Sequence, residues 1–325
     1  MIRILGNGLA APVASMALYH AISSYQLLEV MLHRMIFHPN DKAILILPDF
    51  IVGKYPQYRK LVSGHFFDEV YLFPYLQIPH RNEKMIIEDV AHCYRELIPY
   101  EIASFTEVYV AGAHFYFSLY LIQNKIRFTF FEDAAGMLSR SEELFQNLSK
   151  KYPIHAAIAW KYGLYDGGNP AVKKIICLKR AQTMDVSDEK YVDFSVEKVL
   201  QELPAPKRKK LIHFFLRRRL RTKKAILLTQ NFANLGMMTE TEQRQLCERL
   251  RDETLAGTSL MIKRHPDDTL DYRAIFPNAY IIREIFPAEL LPYVFRKKPE
   301  IIYTFDSTGC ENLREHFVIR KIGRE

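Results

Sequence analysis

The sequence predicts an α/β protein of two Rossmann-like domains that face each other across a cleft. Its 325 residues suffice for two domains of ordinary size. Short apolar runs alternate with helical patterns in the first half of the chain and again in the second, which is typical of parallel sheets with right-handed crossovers. Polar and charged residues follow several of these runs directly, and α/β proteins bind ligands at such strand ends.

The first alternation starts at Ala17 and ends at Leu178. Apolar runs that end at proline or turn residues indicate buried parallel strands, and Ser23 and Ser24 can cap the helix that follows the first strand. The predicted elements are strand 17–22, helix 25–35, strands 43–47 and 69–73, helix 82–96, strand 107–111, helix 114–123, strand 126–131, helices 141–151 and 154–162, and strand 174–178.

The second alternation contains a capping box, in which Thr239 and Glu242 open a helix. Its predicted elements are strand 225–229, helix 239–250, strands 259–262 and 280–282, helix 288–295, strand 300–305 and a short helix from Cys310. The composition changes most clearly after Leu203, but the loop-rich stretch before it favours an earlier boundary. We therefore predict a first domain of residues 1–180 and a second domain of residues 181–325.

The composition is that of a globular protein, with 49% hydrophobic and 25% charged residues. Apolar runs fall short of the roughly 20 residues that a membrane-spanning helix needs, and the segment from Met1 to Leu18 makes a poor signal peptide. Four cysteines are scattered without metal-ligand spacing, which indicates reduced thiols. We therefore expect a soluble protein in the cytoplasm.

The net charge of +8 is concentrated in a basic block at residues 207–224. Apolar and aromatic residues at 211–216 interleave with its cations, and such segments suit an anionic membrane surface, where each cation contributes about 1 kcal/mol. Nucleic acid is a competing partner, but no nucleic-acid motif accompanies the block. We predict no nucleic-acid partner, and the inner face of the cytoplasmic membrane and a simply solvated helix face remain open alternatives.

Two cations, a histidine and a proline follow the strand at 259–262: Lys263, Arg264, His265 and Pro266. Cations beside a titratable imidazole at a strand end suit an anionic leaving group that must be bound and protonated. A solvated turn closed by proline is the alternative interpretation of the same residues.

Glu132 and Asp133 follow the strand at 126–131. Adjacent carboxylates repel each other and partial burial raises the pKa of at least one, which favours work as a general base. A helix cap or a solvated turn would explain the pair equally simply. Either way, the pair places acidic groups at a strand end of the first domain.

Ser307 and Thr308 precede a helix, where hydroxyls and free N–H groups can hold a phosphate without a metal. Glu289, in the first turn of another helix, can bind ribose hydroxyls. Helix capping explains the first pair as well, and a favourable interaction with the helix dipole explains the glutamate.

These blocks, in this order, resemble glycosyltransferase family 52, the bacterial lipooligosaccharide and capsule sialyltransferases. The resemblance starts near Met16, so that the first fifteen residues look like an extension, and it implies the GT-B arrangement of two Rossmann-like domains. It is carried by Tyr19-His20 with 23–28, by 131–136, 228–230 and 262–266, by Asp271-Tyr272 with Phe276-Pro277, and by 287–291 and 305–308. Two departures stand out: Ala134 and Ala135 replace the glycine and threonine of the acidic motif, and Arg264 replaces the first proline of Lys-Pro-His-Pro.

The resemblance implies transfer of sialic acid from CMP-sialic acid to a terminal sugar, commonly galactose, with inversion. Asp133 would be the general base, with Glu132 as its substitute, and His265 would protonate or hydrogen-bond the departing phosphate. The remaining donor-binding residues would be Lys263, Arg264, Pro266, Glu289, Ser307 and Thr308. A base in the loop after Gln230 is the alternative, with Glu240 or Glu242 as its carboxylate.

Because CMP carries one phosphate and the chain has no Asp-x-Asp motif, we predict no metal and no cofactor. The acceptor would be an oligosaccharide or glycolipid. Two rival functions remain: a family-52 glucosyltransferase that uses a nucleotide diphosphate sugar, and a catalytically inactive glycan- or membrane-binding relative, which Ala134 makes worth testing. The sequence leaves open whether the protein is a monomer or a homodimer.

Overall fold

The computed structural model describes residues 15–79, 82–305 and 307–323. Apart from Ser15, the predicted N-terminal extension lies outside the described residues, and so does Asp306. Within those ranges no helix is long and apolar enough to cross a membrane. Two parallel sheets with surrounding helices form the architecture, which confirms the predicted α/β class with two Rossmann-like domains.

The first sheet is parallel, with the strand order β3-β2-β1-β4-β5-β6-β7. Its strands are β1 (Met16–His20), β2 (Lys42–Pro48), β3 (Glu69–Phe73), β4 (Glu107–Ala111), β5 (Phe128–Phe131), β6 (Val172–Cys177) and β7 (Tyr191–Asp193). The strand order reverses between β1 and β4, and ligands of such sheets bind in the crevice beyond that point.

Alternate residues of β1 point to opposite faces of the sheet, and both faces are covered. Ala17 and Tyr19 belong to the same buried cluster as the apolar residues of α1, whereas Leu18 belongs to the cluster of α4 and α5. The helices of this half are α1 (Ser24–Phe37), α2 (Ile51–Lys54), α3 (Lys60–Ser63), α4 (Glu83–Leu97), α5 (Phe117–Gln123), α6 (Ser141–Lys151) and α7 (Pro153–Lys161). Burial on both faces explains why the central strands are apolar without alternation.

The second sheet is also parallel, with the order β10-β9-β8-β11-β12. Its strands are β8 (Ala225–Leu228), β9 (Leu260–Lys263), β10 (Tyr280–Ile282), β11 (Ile301–Thr304) and β12 (Val318–Lys321), with the helices α10 (Glu240–Asp252) and α11 (Tyr272–Ile275). The strand order reverses between β8 and β11, which is the second point where a ligand crevice is expected. The capping box of Thr239 and Glu242 is present at the start of α10.

Several predicted boundaries shift for local reasons. The helix predicted at 114–123 begins only at Phe117, because Gly112 adopts a positive φ and the chain first makes a turn. The helix predicted at 288–295 is a 3₁₀ helix, Ala288–Tyr293, since Pro292 inside it cannot donate an α-helical hydrogen bond. The short helix predicted from Cys310 is likewise a 3₁₀ helix, Thr308–Asn312.

The domain boundary at residue 180 stays a prediction. The short strand β7, which the sequence did not predict, pairs with β6 and belongs to the first sheet. Two further helices, α8 (Val196–Glu202) and α9 (Ala205–Phe215), then lead to the first strand of the second sheet. Their apolar residues belong to one buried cluster that also contains α1 and parts of the second sheet, so the two halves share a core.

The basic block consists of α9 and the segment up to Lys224. Its apolar residues Leu211, Phe214, Phe215 and Leu216 are buried, whereas most of its cations are exposed. The interleaving that suggested contact with an anionic membrane surface is therefore also the ordinary pattern of a helix with one face on the core. Any contact of this block with a membrane would be electrostatic.

Candidate active site

A cavity of about 900 Å³ lies between the two halves, at the carboxyl ends of both sheets. From the first half it is lined by residues 22–25, His114 and Ala134, among others. From the second half it is lined by residues 263–267 and by Ser307, among others. The three predicted strand ends therefore converge on one cavity, although well over a hundred residues separate the first from the other two in sequence.

Gly112 shapes the crevice at the carboxyl ends of β1 and β4. Its φ is +73°, and a Cβ atom there would lie 2.5 Å from Cγ1 of Ile22, which lines the cavity. Glycine is the residue that tolerates both the positive φ and the close approach. The turn that it makes carries His114 into the cavity wall.

Asp133 is half-buried next to His114, and its Oδ1 atom accepts a hydrogen bond of 2.8 Å from Nε2 of Gln26. The imidazole Nδ1 of His114 lies 3.7 Å from the same oxygen. Burial raises the pKa of Asp133 to about 6. Asp133 itself is not among the residues that line the cavity, whereas His114 is.

Glu132 does not line the cavity, and its carboxylate is bound mainly by backbone N–H groups. Its carboxylate accepts hydrogen bonds from the N–H groups of Leu178 (2.7 Å) and Gly136 (3.0 Å) and from the side chain of Gln182 (2.8 Å). Burial raises its pKa to about 7, although these hydrogen bonds oppose the shift. Since it is buried and does not line the cavity, Glu132 ties β5 to the segment after β6, and the structure does not support it as a substitute base.

His114 was not predicted as a site residue. It is buried, stacks on Tyr165 with 5.6 Å between the ring centres, and lies 6.0 Å from the ring of His155. Burial lowers its pKa to about 4, so the imidazole is neutral near pH 7. A histidine three residues after a buried strand, beside the strand that carries Asp133, is the sequence signal that would have identified it.

Hydrogen bonds fix the loop after β9 to neighbouring elements. The N–H group of His265 donates to the hydroxyl of Thr229 (3.0 Å), and that hydroxyl donates to Asp268 (2.8 Å). The phenol of Tyr272 donates to the same carboxylate (2.6 Å). Because Asp268 and Thr229 are buried, this network holds the loop in a defined place at the cavity.

One tautomer of His265 fits its surroundings. The N–H group of Asp267 donates to Nδ1 of the ring at 3.2 Å, so the proton of the neutral imidazole is on Nε2. Burial and the nearby Lys263 lower the pKa of His265, against the opposite influence of Asp267. The ring is therefore suited to donate a hydrogen bond from Nε2 at neutral pH.

Lys263 and Glu289 are both buried in the cavity wall. Burial lowers the pKa of Lys263 to about 8 and raises that of Glu289 to about 7, and each charge partly offsets the shift of the other. The ammonium group also lies 4.7 Å from the centre of the Phe286 ring, a cation–π distance. Both side chains would gain from a ligand that supplies a complementary charge or hydrogen bond.

The remaining predicted donor residues are placed as follows. Arg264 and Pro266 line the cavity, and the arginine is exposed. Ser307 also lines it, and its N–H group donates to the hydroxyl of Thr304 at 3.0 Å. Thr308 begins the 3₁₀ helix, but its side chain lies outside the described part of the structure.

The alternative bases are not at the cavity. Glu242 is exposed and caps α10, as the capping box predicts, and neither it nor Glu240 lines the cavity. Asn231 and Asn234, in the loop after β8, line it instead. An amide cannot take up a proton as a carboxylate does, so this loop offers ligand contacts but no base.

Two contacts join the halves at the rim. Lys54 forms an ion pair with Asp267, and Nζ of Lys151 donates to Oδ1 of Asn234 at 2.7 Å. All four residues line the cavity. Because Asp267 is also the hydrogen-bond donor to His265, the Lys54 contact connects the first domain to the imidazole.

Within residues 15–79, 82–305 and 307–323, no group of three or more His, Cys, Asp or Glu side chains could hold a metal ion. The four cysteines are free thiols. The prediction that the reaction needs no metal stays a prediction, which a chelator can test.

The sequence profile of glycosyltransferase family 52 matches residues 81–321. The chain therefore belongs to glycosyltransferase family 52. This confirms the predicted family and agrees with the predicted class of enzyme, a glycosyltransferase. An uncharacterized protein of Haemophilus influenzae is 32% identical over 90 residues, which are 28% of this chain and 29% of that protein.

Solved structures confirm the fold. The Methanocaldococcus jannaschii UDP-GlcNAc 2-epimerase, in complex with UDP-GlcNAc and UDP, superposes with a TM-score of 0.52 at 9% identity over 95% of this chain and 89% of its own. S. aureus MnaA with UDP superposes with a TM-score of 0.54 at 13% identity, over 91% of this chain and 75% of its own. Glycyrrhiza uralensis UGT73P12 also superposes with a TM-score of 0.54, at 10% identity over 96% of this chain and 77% of its own. At such identities the likeness concerns the two-domain GT-B fold alone.

Proposed function

We propose that the protein transfers sialic acid from CMP-sialic acid to a terminal sugar, commonly galactose, of an oligosaccharide or glycolipid, with inversion and without a metal. The observation that carries this proposal is the chemical contrast within one cavity. One wall presents Lys263, Arg264 and His265, which suit a departing phosphate, and the other presents His114 with Asp133 beside it. Glycosyl transfer needs both functions because the acceptor must lose a proton while the leaving group gains negative charge.

The second-domain wall would bind the CMP donor. A single phosphate next to Lys263, Arg264 and the Nε2–H donor of His265 would meet charge and hydrogen bonds without a divalent ion. Ser307 and Thr308 would add donors from the start of the 3₁₀ helix, and Pro266 would shape the turn. Glu289 would accept hydrogen bonds from ribose hydroxyls, which would favour its ionised form.

The first-domain wall would receive the acceptor. Asp133 supplies the carboxylate of the general base, which is ionised above a pKa of about 6. Aromatic side chains line this side of the cavity, and their flat apolar faces suit the C–H faces of sugar rings: Phe50, Tyr75, Phe115 and Tyr152.

The test is to incubate the purified protein with CMP-sialic acid and lactose and to follow the release of CMP and the sialylated product. CMP should inhibit strongly and UDP weakly. Inhibition by UDP with transfer from a UDP-sugar would instead establish the family-52 glucosyltransferase. Binding of CMP without turnover over a panel of acceptors would establish an inactive relative.

The backbone at Ala134 does not have the positive φ that would require glycine, which favours an active enzyme. Positive φ occurs nearby at Gly136 (+82°), and Ala134 is not among the residues with positive φ. The replacement of glycine at this position therefore leaves the backbone unstrained. Activity should also survive EDTA, and its loss on chelation would contradict the metal-independent mechanism.

The location and assembly of the protein follow as part of the proposal. The exposed cations of the basic block suit the anionic inner face of the cytoplasmic membrane, where a glycolipid acceptor would be found. Co-sedimentation with anionic vesicles that weakens as salt rises would support this contact, and equal binding to neutral vesicles would oppose it. A homodimer is testable by the concentration dependence of the mass in solution.

A further inference from the structure

Asn231, in the loop after β8, carries a buried amide that no protein group satisfies. The residue is 6% exposed and lines the cavity. Within the part of the chain that the structure describes, its side-chain amide has no hydrogen-bond partner, yet the amide atoms are not fully enclosed by protein. Because a buried polar group costs free energy unless it is hydrogen-bonded, an amide in this position is expected to bind water or a ligand.

The backbone on both sides of Asn231 is held by one buried side chain, that of Gln243 on α10. Its Oε1 atom accepts a hydrogen bond from the N–H group of Ala233 (2.8 Å), and its Nε2 atom donates to the carbonyl group of Gln230 (3.0 Å). The loop therefore keeps its place without any contact from the amide of Asn231. Such preorganisation lowers the entropic cost of binding a ligand.

The other amide of this loop is differently placed. Asn234 is exposed, and its Oδ1 atom accepts the hydrogen bond from Lys151 that joins the two halves at the rim. Asn234 thus contributes to the contact between the halves, whereas the amide of Asn231 is available to a ligand.

The position of Asn231 along the second wall indicates which part of the donor it would meet. Lys263, whose charge interacts with that of Glu289, starts the loop that would hold the phosphate. Farther along that loop, Asp267 and Thr269 line a small crevice beside the cavity, together with Asn231. A donor with its ribose at Glu289 and its phosphate at the start of the loop would therefore extend its sugar towards Asn231.

A hydrogen bond also connects this loop to the group that would assist the leaving phosphate. Thr229, two residues before Asn231, accepts a hydrogen bond from the N–H group of His265 at 3.0 Å. The amide of Asn231 is therefore close in the chain to the residue that fixes His265, and the bond to be broken would lie near both.

We infer that Asn231 is a specificity-determining residue whose amide hydrogen-bonds a hydroxyl or acylamino group of the sugar that the donor transfers. The inference deepens the proposed function and rests on it. It assigns recognition of the sugar to the loop after β8, whereas the proposed phosphate and ribose contacts lie elsewhere on the same wall. An amide suits this task because it donates and accepts hydrogen bonds at once, as hydroxyl and acylamino groups do.

The test compares binding of the whole donor with binding of its nucleotide alone. Asn231→Leu and Asn231→Ala both remove the amide and change the side-chain volume in opposite directions. Each variant should bind CMP-sialic acid about five- to hundredfold more weakly, because polar groups of the sugar would be buried without a partner. The Kd for CMP, which lacks the transferred sugar, should change less than about threefold. Calorimetric titration without acceptor measures both constants. Asn278→Ala, exposed in the turn before β10, is the matched control and should bind both ligands as the wild type does.

Thermal unfolding separates this role from a structural one. Since the amide has no protein partner among the described residues, its removal leaves no other described group unpaired, and neither variant should unfold at a lower temperature than the wild type. A lower midpoint with equal weakening of CMP and CMP-sialic acid would show that Asn231 only holds the loop, and the inference would fail. An effect confined to the KM of the acceptor would place Asn231 on the acceptor and would overturn the inference as well.

The identity of the donor is tested separately. If the wild type binds UDP and UDP-glucose instead, and Asn231→Leu weakens only the sugar nucleotide, the role of Asn231 is retained and the proposed donor is rejected. If both variants bind and turn over CMP-sialic acid as the wild type does, the proposed function is retained and the inference is rejected. Binding of neither nucleotide nor sugar nucleotide by the wild type would reject both.

Discussion

The two sheets have the same topological logic, yet the cavity walls that they build differ in chemistry. In both, the cavity lies beyond the carboxyl ends of the strands that flank the reversal of strand order. The first sheet delivers aromatic rings, a neutral histidine and a carboxylate beside it. The second delivers Lys263, Arg264 and a histidine hydrogen-bonded to its own loop. The same position in the two sheets thus presents different chemistry to the cavity, because the side chains at the strand ends differ.

Burial favours the neutral form of ionisable groups in both walls. It raises the pKa of Asp133 to about 6 and that of Glu289 to about 7, and it lowers the pKa of Lys263 to about 8 and that of His114 to about 4. Each charged form lacks the full solvation that water provides, so a ligand with the complementary charge gains more here than at the surface. The difference between the walls can therefore be measured by changing one side at a time.

The largest expected effect comes from His265 in the second wall. His265→Asn removes the Nε2–H donor that faces the proposed leaving phosphate, and kcat should fall by about 10²–10³-fold, as for other donors aimed at a developing negative charge. Steady-state kinetics with saturating donor would measure the loss. His213→Asn, on the exposed side of α9, is the control, and equal activity of the two variants would remove His265 from the mechanism.

The first wall should be most sensitive at its backbone. Gly112→Ala forces an alanine into a φ of +73° and places its Cβ 2.5 Å from Ile22, so the free energy of unfolding should fall by about 3 kcal/mol. Urea denaturation would measure this loss. Gly53→Ala is the matched control, since nothing lies within 4 Å of its Cβ position, and it should leave stability unchanged or slightly higher. Equal stability of the two variants would show that the turn at Gly112 is not required.

In the second wall, replacing Lys263 should affect stability and CMP binding in opposite directions. Its pKa is lowered in the folded state from 10.5 to about 8, so burying the charge costs stability at pH 7, and Lys263→Met should be up to about 3 kcal/mol more stable there. Between about pH 8 and 10.5 the unfolded chain binds more protons than the folded one, so wild-type stability rises with pH and this difference shrinks.

Lys263→Met should weaken the binding of CMP by the protein, although it raises the stability. The charge is present below about pH 8 and is lost above it, so CMP binding should weaken as the pH rises through that value, and Lys263→Met should bind CMP about ten- to hundredfold more weakly at pH 7. Calorimetric titration at pH 7 and pH 9 would measure both effects. A variant that is less stable and binds CMP normally would contradict the assignment of Lys263 to the donor wall.

The sequence revealed the second wall more fully than the first. Lys263, Arg264 and His265 form a contiguous polar set after an apolar run, so their position at a strand end and their role could be predicted together. His114 is separated from Asp133 by nineteen residues, and its significance depends on β4 and β5 being neighbours in the sheet. The pairing of strands is a tertiary property that a local pattern does not carry.

Adjacent residues can also receive unrelated roles, which the sequence could not separate. Glu132 and Asp133 are equivalent in type and differ by one position, but successive side chains at a strand end point in opposite directions. Glu132 meets the N–H groups of Leu178 and Gly136, whereas Asp133 meets Gln26 and His114. The division between a structural and a functional carboxylate was decided by which neighbours lay on each side.

The contact between the walls provides the smallest expected effect. Lys54 pairs with Asp267, and both side chains are about one-third exposed, so the pair should contribute no more than about 1 kcal/mol. Lys54→Met should raise the donor KM by about two- to fivefold with little change in stability, because the loop that carries His265 would lose one anchor on the first domain. The difference should shrink at high salt, where screening weakens the pair in the wild type. Lys60→Met, exposed on α3, is the control, and an equal KM for both variants at low salt would show that the two walls act independently.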